Sequence, residues 1–328
     1  MRTRIAVVAC LLGCASPVQT PSPPPNVRFV TFNVGNPDTS DPRYALRIRS
    51  TTYEEGLAAK IQSWVPDVIA LQEVLPPETC AAFEETDPTR TCYHHTSREV
   101  AVKRLLGEDY TAVCDQRAHV DCIGVRTSFG TIDGAASGTV AVSFASTPPL
   151  PLPPCIYAAG ACDNTKCDAE STVSAVSVTT AKGPLRVIHV HPNATGQTGD
   201  GSIYVGAPCR AAQLVQAFAL AGEGATLILG DWNFNPDSPL YPDENDVWDP
   251  LVGEGKRFRD HDERDESGRR VPTHEAALLS AVDHVVTDFA TGECDVLEDR
   301  VDADFEIEAS DKRGRTDHRP TLCDLYWP

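Results

Sequence analysis

The sequence predicts a single α/β domain built from two packed sheets with outer helices. Short β-branched runs outnumber helical stretches, the two kinds are interleaved along the chain, and no compositional break after residue 26 divides it. Residues 27–32 (Val-Arg-Phe-Val-Thr-Phe) read as a first strand from their β-branched and aromatic content. Residues 33–41, rich in Gly, Pro, Asn and Asp, form a loop. Residues 53–64 are helical, because Leu57, Ile61 and Trp64 recur at helical spacing, Glu54 and Glu55 sit in the first turns, and Pro66 ends the run. A second strand at 67–71 runs into Gln72-Glu73.

From 76 to 134 the chain is polar and Cys-bearing, with a helix at 100–106; a strand follows at 139–144. Residues 148–167 are a Pro/Cys loop. Residues 171–179 and 185–191 alternate like a hairpin around Lys182-Gly183. Residues 210–220 have helical periodicity, and 225–229 form a short buried strand ending at Gly230-Asp231. The charged run 254–270 reads as a solvated face. Residues 281–286 and 322–326 are the last strands.

The chain of 328 residues is 41% hydrophobic, enough for a sizeable core, which excludes wholesale disorder. Its 47 acidic residues outnumber 28 Lys+Arg, for a formal charge of −19. That balance argues against coating nucleic acid by bulk charge, which needs cations to displace counterions. It leaves room for an enzyme that meets phosphate through a bound cation. The apolar run at 5–12 is too short to cross a bilayer, so a multi-span membrane protein is excluded.

Arg2 and Arg4 precede that run and Gly13-Cys14 closes it, the shape of a secretory signal peptide. Leu11-Leu12-Gly13-Cys14 also resembles the lipobox of bacterial lipoproteins, which implies that Cys14 becomes the lipidated first residue. Pro17, Pro21, Pro23, Pro24 and Pro25, with Ser and Thr between them, make an extended tether. The expected organisation is a signal peptide at 1–13, an anchor and tether at 14–26, and a catalytic domain at 27–328. The expected location is the cell envelope or the medium, with membrane contact through the anchor only. Beyond Cys10 and Cys14, ten cysteines, an even number, suit disulfides in an exported chain; Cys80/Cys92 and Cys114/Cys122 are close enough to be local staples. No Cys-x-x-Cys pair or Cys/His zinc spacing is present.

Several strands end in residues that bind hard cations or move protons. Alone, each is an ordinary turn former or cap. Their order along the chain is more specific. Thr31-Phe32-Asn33-Val34, Leu71-Gln72-Glu73-Val74, Gly230-Asp231-Trp232-Asn233, Val282-Asp283-His284 and Thr316-Asp317-His318-Arg319-Pro320 resemble, in sequence, the motifs of the endonuclease/exonuclease/phosphatase superfamily. Deoxyribonucleases of the pancreatic type, abasic-site endonucleases, inositol polyphosphate 5-phosphatases and secreted sphingomyelinases belong to it. The resemblance runs from Val27 to the C-terminus. It implies a four-layer α/β/β/α sandwich of two mixed sheets, with the site at one edge of the sheet pair. It further implies metal ligation by Glu73 with Asn33 and Asp317. Asp231 and Asn233 would handle the nucleophilic water and the phosphate, His318 would be the catalytic imidazole oriented by Asp283, and His191 would contact the phosphate. The usual Asn-Thr-His reads here as His189-Val190-His191, so His189 stands in the Asn position. Residues two apart on a strand share a face, so His189 either joins the site or is the true counterpart in a shifted register.

Such a site suits Mg²⁺, or Mn²⁺ or Ca²⁺ in its place. Mg²⁺ prefers oxygen ligands, keeps several waters and takes only one or two carboxylates from protein. The cation offsets phosphate charge, and a carboxylate-backed imidazole transfers protons near neutral pH. The expected activity is hydrolysis of a phosphodiester, nuclease-like. Arg43, Arg47, Arg49, Arg126, Arg257 and Arg259 are candidates for a groove. The alternatives are a sphingomyelinase-like or other small-phosphoester hydrolase, or a non-catalytic surface binding protein on the same fold. No exposed aromatic hairpin for membrane contact is evident, since Trp232, Trp248 and Trp327 are scattered and Trp64 belongs to a core-facing pattern.

Overall fold

The strands arrange around β1 (Val27–Asn33), which pairs in parallel with β2 (Val68–Val74) and antiparallel with β15 (Thr321–Tyr326). A computed structural model describes residues 24–35, 51–74, 98–114, 120–142, 172–192, 196–197, 203–204, 207–274, 281–297 and 318–328. Within them the first sheet also contains β3 (Tyr110–Cys114), β4 (Val120–Arg126), β6 (Val140–Val142) and β14 (Thr291–Val296), in the order β14-β15-β1-β2-β4-β3-β6. The second sheet is built from β5 (Gly130–Ile132), β7 (Thr172–Thr180), β8 (Gly183–His191), β11 (Ala225–Asp231), β12 (Arg259–Asp260) and β13 (Asp283–Thr287), in the order β12-β13-β11-β8-β7-β5. Two short strands, β9 (Gly196–Gln197) and β10 (Ile203–Tyr204), pair apart from both.

Side-chain alternation sorts the apolar residues into three cores. On β1, Val30 and Phe32 face α1 (Thr51–Trp64) and α2 (Arg98–Leu106), packing with Leu57, Ile61, Trp64, Val102 and Leu106. Val27 and Phe29 point the other way, into a layer shared with Val187, Leu227 and Val285 of the second sheet. On the far side, Ile188 and Ile228 pack against Leu214 and Phe218 of α3 (Ala207–Ala219) and Trp248 of α4 (Pro242–Trp248). The order of layers is therefore α/β/β/α, as expected. A buried ion pair, Arg210 Nε to Glu244 Oε1 at 2.7 Å, ties α3 to α4.

The 76–134 stretch contains more order than its polarity suggests. β3 and β4 pair antiparallel, and Asp121, Ile123 and Val125 share one face of β4, so a polar residue there marks a strand end rather than a loop. Cys114 and Cys122 are directly opposite and disulfide-bonded, as are Cys294 and Cys323 on β14 and β15. Cys80, Cys92, Cys155, Cys162 and Cys167 lie outside the described residues, as do residues 1–23 with Cys14, Arg43, Arg47, Arg49 and Asp317. The 254–270 run is a solvated face only in part: 254–257, 259 and 264–269 are exposed, while Asp260, Asp262 and Arg270 turn inward. Arg270 donates to Asp237, Asp260 and Asp262, and the Arg270, Asp260 and Asp262 side chains are all under a tenth exposed. Opposite charges within the run satisfy one another, which makes their burial tolerable. Among the described residues no helix is long and apolar enough to cross a membrane.

Candidate active site

The layer between the sheets changes character along the strands. It is apolar at Val27, Phe29, Val68 and Leu185. It becomes polar at Thr31, Gln72, Ser174, His189 and Thr321, all buried. It ends in ionisable groups at Glu73, Asp121, His191, Asp231, Asp283 and His318, on strand ends that meet at one edge.

Local backbone features aim these groups. Across β2 and β4 the register slips between Leu71 and Val74, so Gln72 and Glu73 face the single residue Asp121. Glu73 takes φ 57°, and its N–H donates to Asp121 Oδ1 at 3.4 Å. A bulge of this kind re-aims a side chain out of strict alternation. Asn233 takes φ 53°, held by its N–H on Asp231 Oδ1 (2.9 Å) and its Nδ2 on the Pro192 carbonyl (3.0 Å). Positive φ at a non-glycine residue costs free energy, and two such residues flank this pocket. Gly230 lets β11 press against β8, since a Cβ there would lie 1.9 Å from the Val190 carbonyl oxygen.

The Asp231 carboxylate is the centre of the arrangement. Its Oδ2 accepts from Asn33 Nδ2 at 3.2 Å. His318 Nε2 is 3.5 Å from that oxygen and His191 Nε2 is 3.8 Å from it. Each imidazole has its own aspartate behind it. His318 Nδ1 donates to Asp283 Oδ2 at 2.9 Å, and His191 Nδ1 donates to Asp121 Oδ1 at 3.0 Å. His191 Nε2 is also 3.8 Å from Glu73 Oε1, which places Glu73 in the same pocket. Asp231, Asp283 and His318 offer atoms within 4.8 Å of one another, a spacing that a metal ion could share.

The histidines sit in opposite electrostatic settings. Burial works against a charged His191, but Asp121 through both its charge and hydrogen bond, with Asp231 and Glu73, outweighs it and lifts the pKa to about 10. Burial dominates at His189 and pushes its pKa down to about 4. His189 is thus a neutral ring that accepts from Gln72 Nε2 at 2.9 Å. It is His191, not His189, whose ring meets Asp121, Glu73 and Asp231. Burial also raises the Asp283 carboxyl, against the stabilising pull of His318.

Of the residues expected from sequence, Asn33, Glu73, His191, Asp231, Asn233, Asp283 and His318 converge here, and His189 lies behind them. Asp317 is outside the described residues. Asp121 was missed; its only signal is its place in the alternation Asp121, Ile123, Val125. Two of the candidate groove arginines that are described do other work, while Arg259 is exposed on β12. Arg126 pairs with Asp67, and Arg257 lies over the Phe258 ring and donates to the Gly222 carbonyl. Trp64, Trp232, Trp248 and Trp327 are all buried.

No family model matches the chain, and no curated protein sequence matches it. Solved structures do. D. rerio TDP2 complexed with a single-strand DNA product superposes with a TM-score of 0.53 at 13% identity, covering 92% of this chain and 98% of that one. An endonuclease/exonuclease/phosphatase family protein from Bacteroides thetaiotaomicron gives 0.53 at 12% identity, covering 94% and 100%. The mannosyl-6-phosphatase Bt3783 of the same organism gives 0.51 at 12%, covering 92% and 100%. The chain has the endonuclease/exonuclease/phosphatase fold.

Proposed function

We propose that this protein is a divalent-metal-dependent phosphoric ester hydrolase that cleaves phosphodiesters, with nucleic acid as the leading substrate class. The observation that carries the reading is one buried carboxylate, Asp231, set between two imidazoles that are each backed by an aspartate. A structural ion pair needs one partner; this arrangement supplies a proton acceptor, a proton carrier and a fixed cation in one pocket.

The donors suit a hard cation. Carboxylates and a carboxamide predominate, the disulfide-bonded Cys114, Cys122, Cys294 and Cys323 lie in the apolar cores, and the local charge is negative. Glu73, Asn33 and Asp317 would hold Mg²⁺, or Mn²⁺ or Ca²⁺, which would offset the phosphate charge and stabilise charge developing on its oxygens. Asp231 orients the attacking water, with Asn33 fixing its carboxylate. Asn233, pinned to Asp231 and Pro192, presents its backbone turn to the phosphate. His318 carries a proton at Nε2 while Asp283 fixes its Nδ1–H. His191, charged at neutral pH, offers Nε2–H to a phosphate oxygen.

Nuclease action is placed ahead of small phosphoesters because one neighbour of this fold holds a single-strand DNA product. The mannosyl-6-phosphatase keeps a sugar phosphate as the alternative. Sphingomyelin is less favoured, since the exposed large apolar side chains among the described residues are only Val65, Val215 and Leu240. Export belongs to the same proposal, with residues 1–13 removed, Cys14 lipidated and 14–26 as tether. Two cross-strand disulfides support an oxidising compartment.

Purified protein with Mg²⁺, Mn²⁺ or Ca²⁺ should be offered DNA, RNA, sphingomyelin, mannose 6-phosphate and a chromogenic phosphodiester. Turnover that Glu73→Ala and His318→Ala each reduce by at least about a thousandfold, with melting unchanged, is expected for groups that act as a unit. Silence on every substrate, or turnover unaffected by both variants, would leave the non-catalytic binding protein as the better reading.

A further inference from the structure

The Asp283–His318 pair joins residues from separate segments, β13 and the approach to β15, and the structure shows what brings them together. Thr273 is buried, and its Oγ1 accepts the backbone N–H of both Val282 and Asp283 at 3.0 Å. With both lone pairs engaged, the hydroxyl still has its hydrogen to give. Asp283 Oδ1, the oxygen not used by His318, is buried and has no hydrogen-bond partner among the described residues. The Thr273 carbonyl accepts from Arg319 N–H at 2.7 Å, one residue past His318. The next residue, His274, bridges His318 as an antiparallel pair, and the two ring centroids are 4.5 Å apart, edge to face.

The segment carrying these contacts is itself held. Arg270, three residues earlier, donates Nε to Asp262 Oδ2 at 2.9 Å and also pairs with Asp237 and Asp260. Asp262 accepts in turn from His284 Nδ1, and His284 follows Asp283 directly. The His284 Nε2 donates to the Phe234 carbonyl at 2.9 Å, so both ring nitrogens are fixed. Residues 270–274 are stitched at one end to an ion-pair network and at the other to both members of the dyad.

We propose that Thr273 is a positioning residue for the proposed reaction, a clip whose hydroxyl seats Asp283 and whose carbonyl, with His274, sets the register of His318. The proposal rests on the hydrolase reading for its kinetic consequence, but not for its structural one. Valine at 273 keeps the shape and removes the hydroxyl, leaving two buried N–H groups unsatisfied. Serine keeps the hydroxyl.

Thr273→Val and Thr273→Ser should be compared with the wild type in three measurements. In proton NMR, the downfield His318 Nδ1–H resonance, assigned by its loss in His318→Ala, should vanish or broaden in T273V and persist in T273S. On whichever phosphodiester the wild type turns over, kcat should fall about 10–100-fold in T273V, the usual cost of losing an orienting partner, with KM within about twofold, and T273S should recover it. Hydrogen exchange of the wild type needs no variant: the Val282, Asp283 and Arg319 amides should be protected together. An unchanged resonance and kcat in T273V, equal damage in T273S, or rapid exchange of those three amides would each overturn the clip. A wild type without turnover would count against the hydrolase reading, while the resonance and the exchange would still decide the clip.

Discussion

His189 gives the sharpest quantitative prediction. Its ring is buried between the sheets and held by Gln72, and its pKa lies near 4 instead of the usual 6.5. Between those two values the unfolded chain takes up a proton that the folded chain refuses, so this group costs stability as pH falls from 6.5 to 4. Linkage converts each pH unit of such a gap into ~1.4 kcal/mol, so the full interval amounts to about 3 kcal/mol. His191 does not confuse the window. Its folded value is raised, so its contribution is complete below 6.5 and is lost only as pH rises towards about 10. Urea unfolding of metal-free wild type and His189→Asn, at intervals from pH 7 to 4, isolates the effect as a difference between two slopes. The variant starts from a lower stability, because it loses volume and a hydrogen-bond partner, but its curve should be flatter by about 3 kcal/mol. Parallel curves would show that His189 is already charged in the folded protein, and the account of this polar layer would be wrong.

Two further perturbations test the surroundings of the pocket. Gly230→Ala places a methyl 1.9 Å from a backbone oxygen at φ 151°, so it should destabilise by about 4 kcal/mol or more and yield little soluble protein; a melting temperature within a few degrees of wild type would refute the close approach of β8 and β11. Asp121→Asn removes the charge that outweighs burial at His191, so an NMR titration should show the His191 midpoint fall from about 10 towards the ordinary histidine value of ~6.5, and no movement would mean that another group holds the proton.

Much of the framework was legible in the sequence because buried strands carry dense β-branched runs and α1 and α3 carry clear helical periodicity. The site was legible for a related reason: the chain places its polar residues where those runs stop, at Asn33, Glu73, His191 and Asp231. What stayed hidden depends on pairing, which one-dimensional pattern does not display. β4 was obscured because Asp121 and Cys122 look like loop residues until a partner strand shows which face each occupies. The buried charges of the 254–270 run, Asp260, Asp262 and Arg270, were hidden because a charge count says nothing about which charges meet. The Glu73 bulge needs the register of two strands to be seen at all. α4 did carry a signal, Pro242 at its start followed by Asp243 and Glu244, a helix opening that favours the dipole.

The antiparallel pairing of β1 with β15 also bears on orientation. Val27 lies opposite Leu325, so the start of β1 and the end of β15 sit side by side at one pole of the domain. β1 then runs seven residues to Asn33 at the pocket, a distance of roughly 20 Å at 3.3 Å per residue. Asn26 therefore lies at the pole opposite the pocket, and whatever precedes it in the chain joins the domain there rather than beside the ionisable cluster.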